Sequence, residues 1–318
     1  MAGGAFGRKF KCDYVQEAAA CSKAVGAPVQ LTWSRREDTR TGYYHPCSAH
    51  HMEASIDADG KLTGWLHRAA FPTITSTFNP ASVQPSADDL GAISKHLYGI
   101  ENMRVESGLA KAHTRIGWLR SVYHIFWGFV INAFTDEMAR AAGMDMVQFL
   151  HKIYDNSKDP EQQEQVKRSR GVLDKVVEMS GWGKDLPANH GIGIAVHHSF
   201  ASYAAMAAHV EVNGTNIKVH RVDCAIDCGL VLNPDIATAQ MEGAVIMGMG
   251  IALNPGIHFK DGAVVNSNFH DYPIIGIGEA PSEINVGFVG QDYRSTGIGE
   301  PGVPTTAPAL ANAIFAAT

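Results

Sequence analysis

Several signatures are missing from this chain, and each absence removes a class of protein. The glycine-rich opening Gly3-Gly4-Ala5-Phe6-Gly7 lacks Gly-x-Gly-x-x-Gly spacing and has no strand before it, so it does not support a Rossmann dinucleotide site. Gly-x-x-x-x-Gly-Lys-Ser/Thr does not occur either, which argues against a phosphate-loop nucleotidase. Charge is sparse: 18% of 318 residues are Asp, Glu, Lys or Arg, and the net charge of −6 gives no electrostatic case for nucleic acid. The stretch that reads as most apolar over a long span, Val122 to Ala142, is interrupted by His124, Asn132, Asp136, Glu137 and Arg140. It reads as a core helix rather than a membrane span. No apolar h-region follows the basic, glycine-rich first residues, so nothing resembles a signal peptide, and the compartment, cytoplasmic or periplasmic, stays open. The five cysteines are odd in number and widely spaced, which speaks against a disulfide framework. They are expected to be small buried hydrophobes. Histidines are numerous at fifteen, but no His-Glu-x-x-His occurs and His197 and His198 alternate across a strand, so no protein-ligated first-row metal is expected.

What is present lies near the two ends. Gly297-Ile298-Gly299-Glu300-Pro301-Gly302 holds one carboxylate between glycines and a proline, just before the helix-like run Ala307 to Ala317. A glutamate fixed on rigid turns is placed to act as a general base, although taken alone such a residue is most often a solvated loop side chain. The opening glycine loop could lay backbone N–H groups against an oxygen-rich ligand.

Between these ends the pattern is mixed. Asp13 to Gly26 has helical spacing, Pro28 to Trp33 reads as a buried strand, and His51 to Ile56 and Leu62 to Ala70 alternate around the turn Asp57-Ala58-Asp59-Gly60. A long helix is expected over Ser121 to Ala142, a second from the N-cap Asp145, and a third from Asp159-Pro160. Gly191 to His198, Tyr203 to Val212 and Ile217 to Ala225 form a meander with Asn213-Gly214 as a turn. Asn233-Pro234 then opens a helix whose Gly243, Gly248 and Gly250 imply close approach of a backbone or ligand. Short strands are expected at Gly256 to Phe259, Ala263 to Asn266 and Ile284 to Val289. Strands and helices come in runs, so the fold class is α+β. Two subdomains, 1–157 and 158–318, divide at the charged stretch that begins at Lys158.

The order of Gly3-Gly4-Ala5-Phe6-Gly7-Arg8-Lys9, Trp33-Ser34-Arg35-Arg36-Glu37-Asp38, Trp118-Leu119-Arg120-Ser121-Val122, Asp227-Cys228-Gly229-Leu230-Val231-Leu232-Asn233-Pro234, Gln240-Met241-Glu242-Gly243 and Gly299-Glu300-Pro301-Gly302 resembles the molybdenum-binding large subunit of the xanthine dehydrogenase/aldehyde oxidase family. Asn268-Phe269-His270-Asp271-Tyr272-Pro273 and the ending Ala307 to Phe315 are similar to the isoquinoline 1-oxidoreductase β-subunit branch. The resemblance implies part of a hydroxylase that oxidises an aldehyde or N-heterocycle, with water as oxygen source and hydride passing to a molybdenum centre. The resemblance further implies that the metal is held by a molybdopterin, in its cytosine dinucleotide form, and not by protein side chains. It implies Glu300 as catalytic base and Gly4, Ala5, Phe6, Gly7, Arg120, Gln240 and Gly299 as cofactor contacts, with Ala5 where the family commonly has glycine. The match is to the C-terminal portion of such a subunit. An N-terminal half with a further pterin-contacting loop and an iron–sulfur subunit are the implied partners. Without that half, the alternative is a cofactor-free, non-catalytic fragment or partner-binding subunit.

Overall fold

A computed structural model describes residues 4–94 and 98–318; Gly3 of the glycine loop lies outside the described residues. Helix α1 runs over Asp13–Val25 and ends as expected on Gly26, whose φ of 67° lets its N–H return to the Ser22 carbonyl. The expected strand at Pro28 to Trp33 does not form, and no described strand pairs with it. An apolar run becomes a strand only with a ladder partner and cover, and Val29 and Leu31 are exposed here. The chain goes on to α2, Arg35–Thr41, started by a capping box between Ser34 and Glu37.

Strands β1 (Ala49–Ile56) and β2 (Leu62–Ala70) form the expected antiparallel hairpin. Its turn is tied by Asp57, whose Oδ1 accepts from the N–H groups of Asp59 and Lys61 at 3.0 and 2.8 Å. After α3 (Ala87–Ser94), β3 (Asn102–Gly108) joins β2 in parallel and completes a sheet of order β1-β2-β3.

Across this hairpin His50 Nδ1 lies 3.0 Å from His67 Nε2, against Trp127, and His67 is fully buried. Burial brings both histidines down from 6.5 to about 4, with the neighbouring His50 adding to the effect on His67. The unfolded chain therefore binds more protons than the folded one between about pH 6.5 and 4. Stability should fall as pH drops through that window and level off below it. Urea midpoints measured at pH 7 and pH 5 should show this loss, and His67→Gln, which cannot protonate, should shrink it; an equal loss in the variant would contradict the assignment.

Helix α4 (His124–Ala141) stops at Gly143 with φ 68°, and α5 (Met146–Asn156) starts from an Asp145–Gln148 capping box. A 3₁₀ turn at Pro160–Gln162, capped by Asp159, leads into α6 (Gln163–Ser180). The meander follows as β4 (His190–Ser199), β5 (Ser202–Asn213) and β6 (Asn216–Asp227). Next come α7 (Pro234–Leu253), the short pair β7 (Phe259–Lys260) and β8 (Ala263–Val264), then β9 (Glu283–Phe288) and α8 (Val303–Ala317). The second sheet has the order β4-β5-β6-β9, with β9 parallel to β6.

Alternation along the meander sends residues to two faces. Ala204, Met206, Ala208 and Val210 pack with Met241, Val245 and Leu310 of α7 and α8, whereas Tyr203, Ala205 and Ala207 pack with Val172, Leu173 and Val176 of α6. Helix α8 lies almost on the backbone of β4, since a Cβ added at Gly193 would sit 2.2 Å from the Ala313 nitrogen. Gly248 of α7 likewise admits Thr306 of α8, so its expected close approach is to a helix.

Three expectations need correction. Helix α8 begins four residues earlier than Ala307, at Val303, and keeps Pro308 inside it. Pro304 falls in the first turn, where no N–H is needed, and the carbonyl that Pro308 leaves unpaired faces Gly128, where an added Cβ would come within 2.4 Å of it. Only Cys224 and Cys228 are buried; Cys12, Cys21 and Cys47 are exposed, the first two because α1 buries none of its residues. Among the described residues, the helix long and apolar enough to cross a membrane is α7, with mean hydropathy 1.4, and not Val122 to Ala142. Its Met241, Val245 and Met249 are spent on packing against α8 and the sheet.

Candidate active site

Segments far apart in sequence meet beside the N-terminus of α8: the turn Trp118 to Val122, the middle of α7, and the loop Gly297 to Gly302. Gly302 lets this loop press on α7, since a Cβ there would lie 2.7 Å from the Ala244 Cβ. Ser202 Oγ fixes the loop's start by donating to the Gly297 carbonyl at 2.5 Å. Ser121 and Val122 have φ values of 79° and 48°, a left-handed turn that non-glycine residues adopt only under constraint from their surroundings.

That turn grips the glutamate. The Ser121 N–H donates to Glu300 Oε1 at 3.0 Å, and Ser121 Oγ donates to the Glu300 carbonyl at 2.7 Å. One carboxylate oxygen is thus fixed by a backbone donor, and Oε2 is left to accept a proton or hydrogen bond. Arg120 ties the other two segments together. Its Nε donates to the Gly299 carbonyl at 2.5 Å, and its Nη2 to the carbonyl and Oε1 of Gln240 at 2.9 and 3.3 Å. Arg120 is only 6% exposed; burial pulls its guanidinium below the ordinary arginine value, and the negative charge of Glu300 opposes that shift. Arg120→Lys retains the charge but not the planar fork, so it should leave Gly299 or Gln240 without a donor. A loss of about 1.5–3 kcal/mol in denaturant stability is expected, and an unchanged midpoint would contradict this role.

The glycine loop docks beside this arrangement. Gly7 has φ 104°, and an added Cβ would lie 2.5 Å from the Trp118 carbonyl oxygen; Phe6 has φ 48° and its ring lies 6.0 Å from Arg120 Cζ. Ala5 is not among the residues with positive φ, so alanine in place of glycine carries no backbone strain. A cavity of about 320 Å³ opens next to Ser121, lined by Phe78, Trp118, Val122, Tyr123, His124, Trp127 and Phe200 together with Asp88 and Asp89.

The structure therefore brings together Arg120, Gln240, Gly299 and Glu300, with Phe6 and Gly7 alongside, while Gly4 has no neighbour within 4 Å of a would-be Cβ. Sequence reasoning passed over Ser121, because a positive φ at serine leaves no compositional trace. It also overlooked that 297–302 itself has Gly-x-Gly-x-x-Gly spacing. There a carboxylate occupies the middle of the motif, which disfavours a pyrophosphate against that backbone. The donor set suits a polar, hydrogen-bonding organic cofactor: with Gln240 Oε1 engaged by Arg120, the amide NH₂ is the group able to donate, and Gly4 leaves open space.

Comparison with known proteins gives the class. Two families, both described as molybdopterin cofactor-binding domains, match residues 1–153 and 135–281. The chain is 29% identical to a membrane-bound aldehyde dehydrogenase [pyrroloquinoline-quinone] of Gluconacetobacter polyoxogenes, over 99% of this chain and 44% of that protein. It is 28% identical to isoquinoline 1-oxidoreductase subunit beta of Brevundimonas diminuta, over 98% of this chain and 40% of that one. Among solved structures, quinoline 2-oxidoreductase of Pseudomonas putida 86 superposes with a TM-score of 0.82 at 13% identity, covering 99% of this chain and 65% of the other. Aldehyde oxidoreductase of Desulfovibrio gigas superposes at 0.75 and 14%, covering 99% and 52%. These structural likenesses carry the fold. The chain belongs to the molybdopterin cofactor-binding domains of the xanthine dehydrogenase/aldehyde oxidase family. It spans less than half the length of the curated relatives named here.

Proposed function

We propose that this chain is the C-terminal, cofactor-holding portion of a molybdenum hydroxylase that oxidises an aldehyde or an N-heterocycle. The observation that carries the reading is the Glu300 carboxylate held by the Ser121 N–H at the junction locked by Arg120. When bound, the molybdenum–pterin supplies the centre that delivers oxygen from water and accepts the substrate's electrons. Glu300 Oε2 would serve as the general base beside that centre, and the Ser121 and Arg120 contacts hold its loop in place. Gln240 would pair with the pterin through its amide, and the backbone of Gly4, Ala5, Phe6, Gly7 and Gly299 would approach the cofactor closely. Arg120 holds that shell together. We take the pterin to be the cytosine dinucleotide form, the two subdomains to be 1–157 and 158–318, and the remaining partners to be an N-terminal half, in the same or a separate polypeptide, and an iron–sulfur subunit. The relatives' greater length supports the first of these partners.

The aromatic cavity orients a flat substrate and keeps water from it. Asp88 and Asp89 in its lining disfavour anions, which points to neutral aromatic aldehydes or heterocycles over carboxylate-bearing ones. In the assembled enzyme, kcat/KM for a neutral aromatic substrate should exceed that for its carboxylated analogue at least about tenfold, roughly 1.4 kcal/mol. A preference for the carboxylated analogue would overturn this choice of substrate class. The pyrroloquinoline-quinone in the name of the Gluconacetobacter relative favours a second reading, in which the chain serves a quinone enzyme. Cofactor extracted from the assembled protein separates the two.

A further inference from the structure

At the far end of β4 from the Glu300 loop, three strands converge on a cluster of histidines around one carboxylate. His190 opens β4 and pairs across the ladder with Glu211 of β5; His209 lies two residues before Glu211, on the same face. On β6 the register shifts between His209 and Val210, leaving His220 as the extra residue of a bulge beside Arg221. Bulges re-aim side chains, and this one turns His220 toward Glu211. Helix α6, which covers this sheet face elsewhere, ends at Ser180; Arg221 Nη2 donates to the Met179 carbonyl there, and the cluster beyond is half-buried. Nine residue steps along β4 separate His190 from Ser199, roughly 30 Å at strand spacing, so the cluster is remote from the proposed reaction centre.

The geometry points to a divalent zinc-type metal site formed by His190 Nε2, His220 Nε2 and Glu211 Oε2. Glu211 Oε2 is 2.8 Å from His220 Nε2 and 4.0 Å from His190 Nε2, and the three ligand atoms lie within 4.8 Å of one another. Tetrahedral zinc with bonds of about 2.0–2.1 Å asks for ligand atoms about 3.3 Å apart, which small side-chain rotations can reach. Two imidazoles and a carboxylate are the ligand types zinc takes, and the fourth position is open to water. The outer contacts that orient metal ligands are also present. His190 Nδ1 is 3.1 Å from His209 Nε2, and Asn213 Nδ2 donates to Glu211 Oε1 at 2.6 Å, so Oε2 faces the imidazoles, and a metal would replace its present 2.8 Å hydrogen bond with His220 Nε2. A metal here would bridge β4, β5 and β6, so it would act as a clamp on the sheet.

The test uses the full chain without a polyhistidine tag, stripped with chelator and titrated with Zn²⁺ alone by calorimetry, with Co²⁺ as a spectroscopic probe. One saturable zinc per chain is expected, with visible tetrahedral cobalt bands and a rise in Tm on zinc addition. Glu211→Gln, which keeps the side chain's shape, and His220→Ala should each weaken zinc at least about 100-fold. His209→Ala, which removes only the orienting partner, should weaken it about 10- to 100-fold. No saturable zinc binding would overturn the site, as would binding that Glu211→Gln and His220→Ala leave unchanged while the metal-free Tm shows both variants folded.

Discussion

Glu300→Gln is expected to lower kcat by about 10²- to 10⁴-fold in the assembled enzyme while its molybdenum content stays at the wild-type level. Glutamine keeps the shape of the side chain, and its amide oxygen can still accept from the Ser121 N–H, so the loop has no reason to move. The Ser121 Oγ bond to the residue 300 carbonyl and the Arg120 bond to the Gly299 carbonyl involve only backbone acceptors and persist. What disappears is the carboxylate oxygen able to take a proton. Turnover should therefore collapse without cofactor loss. Turnover equal to wild type would remove Glu300 as the base, and parallel loss of molybdenum would make it a structural residue instead.

The second large effect is on stability. Gly193→Ala should destabilise the chain by about 3 kcal/mol, because a Cβ there meets the backbone of α8 at 2.2 Å from Ala313 N and 2.3 Å from Ala309 O. Backbone on both sides cannot swing aside as a long side chain can. Helix α8 would have to lift from β4, and its N-terminus carries the Glu300 loop, so cofactor retention should fall as well. Gly256→Ala is the matched control: its added Cβ has nothing within 4 Å, and it should stay within about 0.5 kcal/mol of wild type in denaturant unfolding. Equal midpoints for the two variants would contradict the close seating of α8.

Residues with local signals were legible in the sequence. Gly26 and Gly143 marked helix ends because a left-handed cap needs glycine, Asp145 marked a helix start because its side chain accepts from the Gln148 N–H, and Asn213-Gly214 marked the turn of the meander to within one residue, the turn itself being Gly214-Thr215 between the paired Asn213 and Asn216. Signals that depend on distant partners were not. Pro28 to Trp33 reads as a strand but has no pairing partner among the described residues, and the extra turn that starts α8 at Val303 lies where Gly128 makes room for the Pro304 carbonyl. At the candidate site, Glu300 stood out by its glycine and proline neighbours, and Arg120 and Gln240 only by resemblance. Ser121 and the cluster of His190, Glu211 and His220 needed the fold, since a backbone turn and a bulge bring them into place.

The most direct measurement is elemental analysis for molybdenum, with extraction of the organic cofactor, on this chain purified together with an N-terminal half from a host that makes the pterin dinucleotide. The account predicts stoichiometric molybdenum with a pterin in the extract. Absence of molybdenum from that assembly, or pyrroloquinoline-quinone in its place, would contradict it.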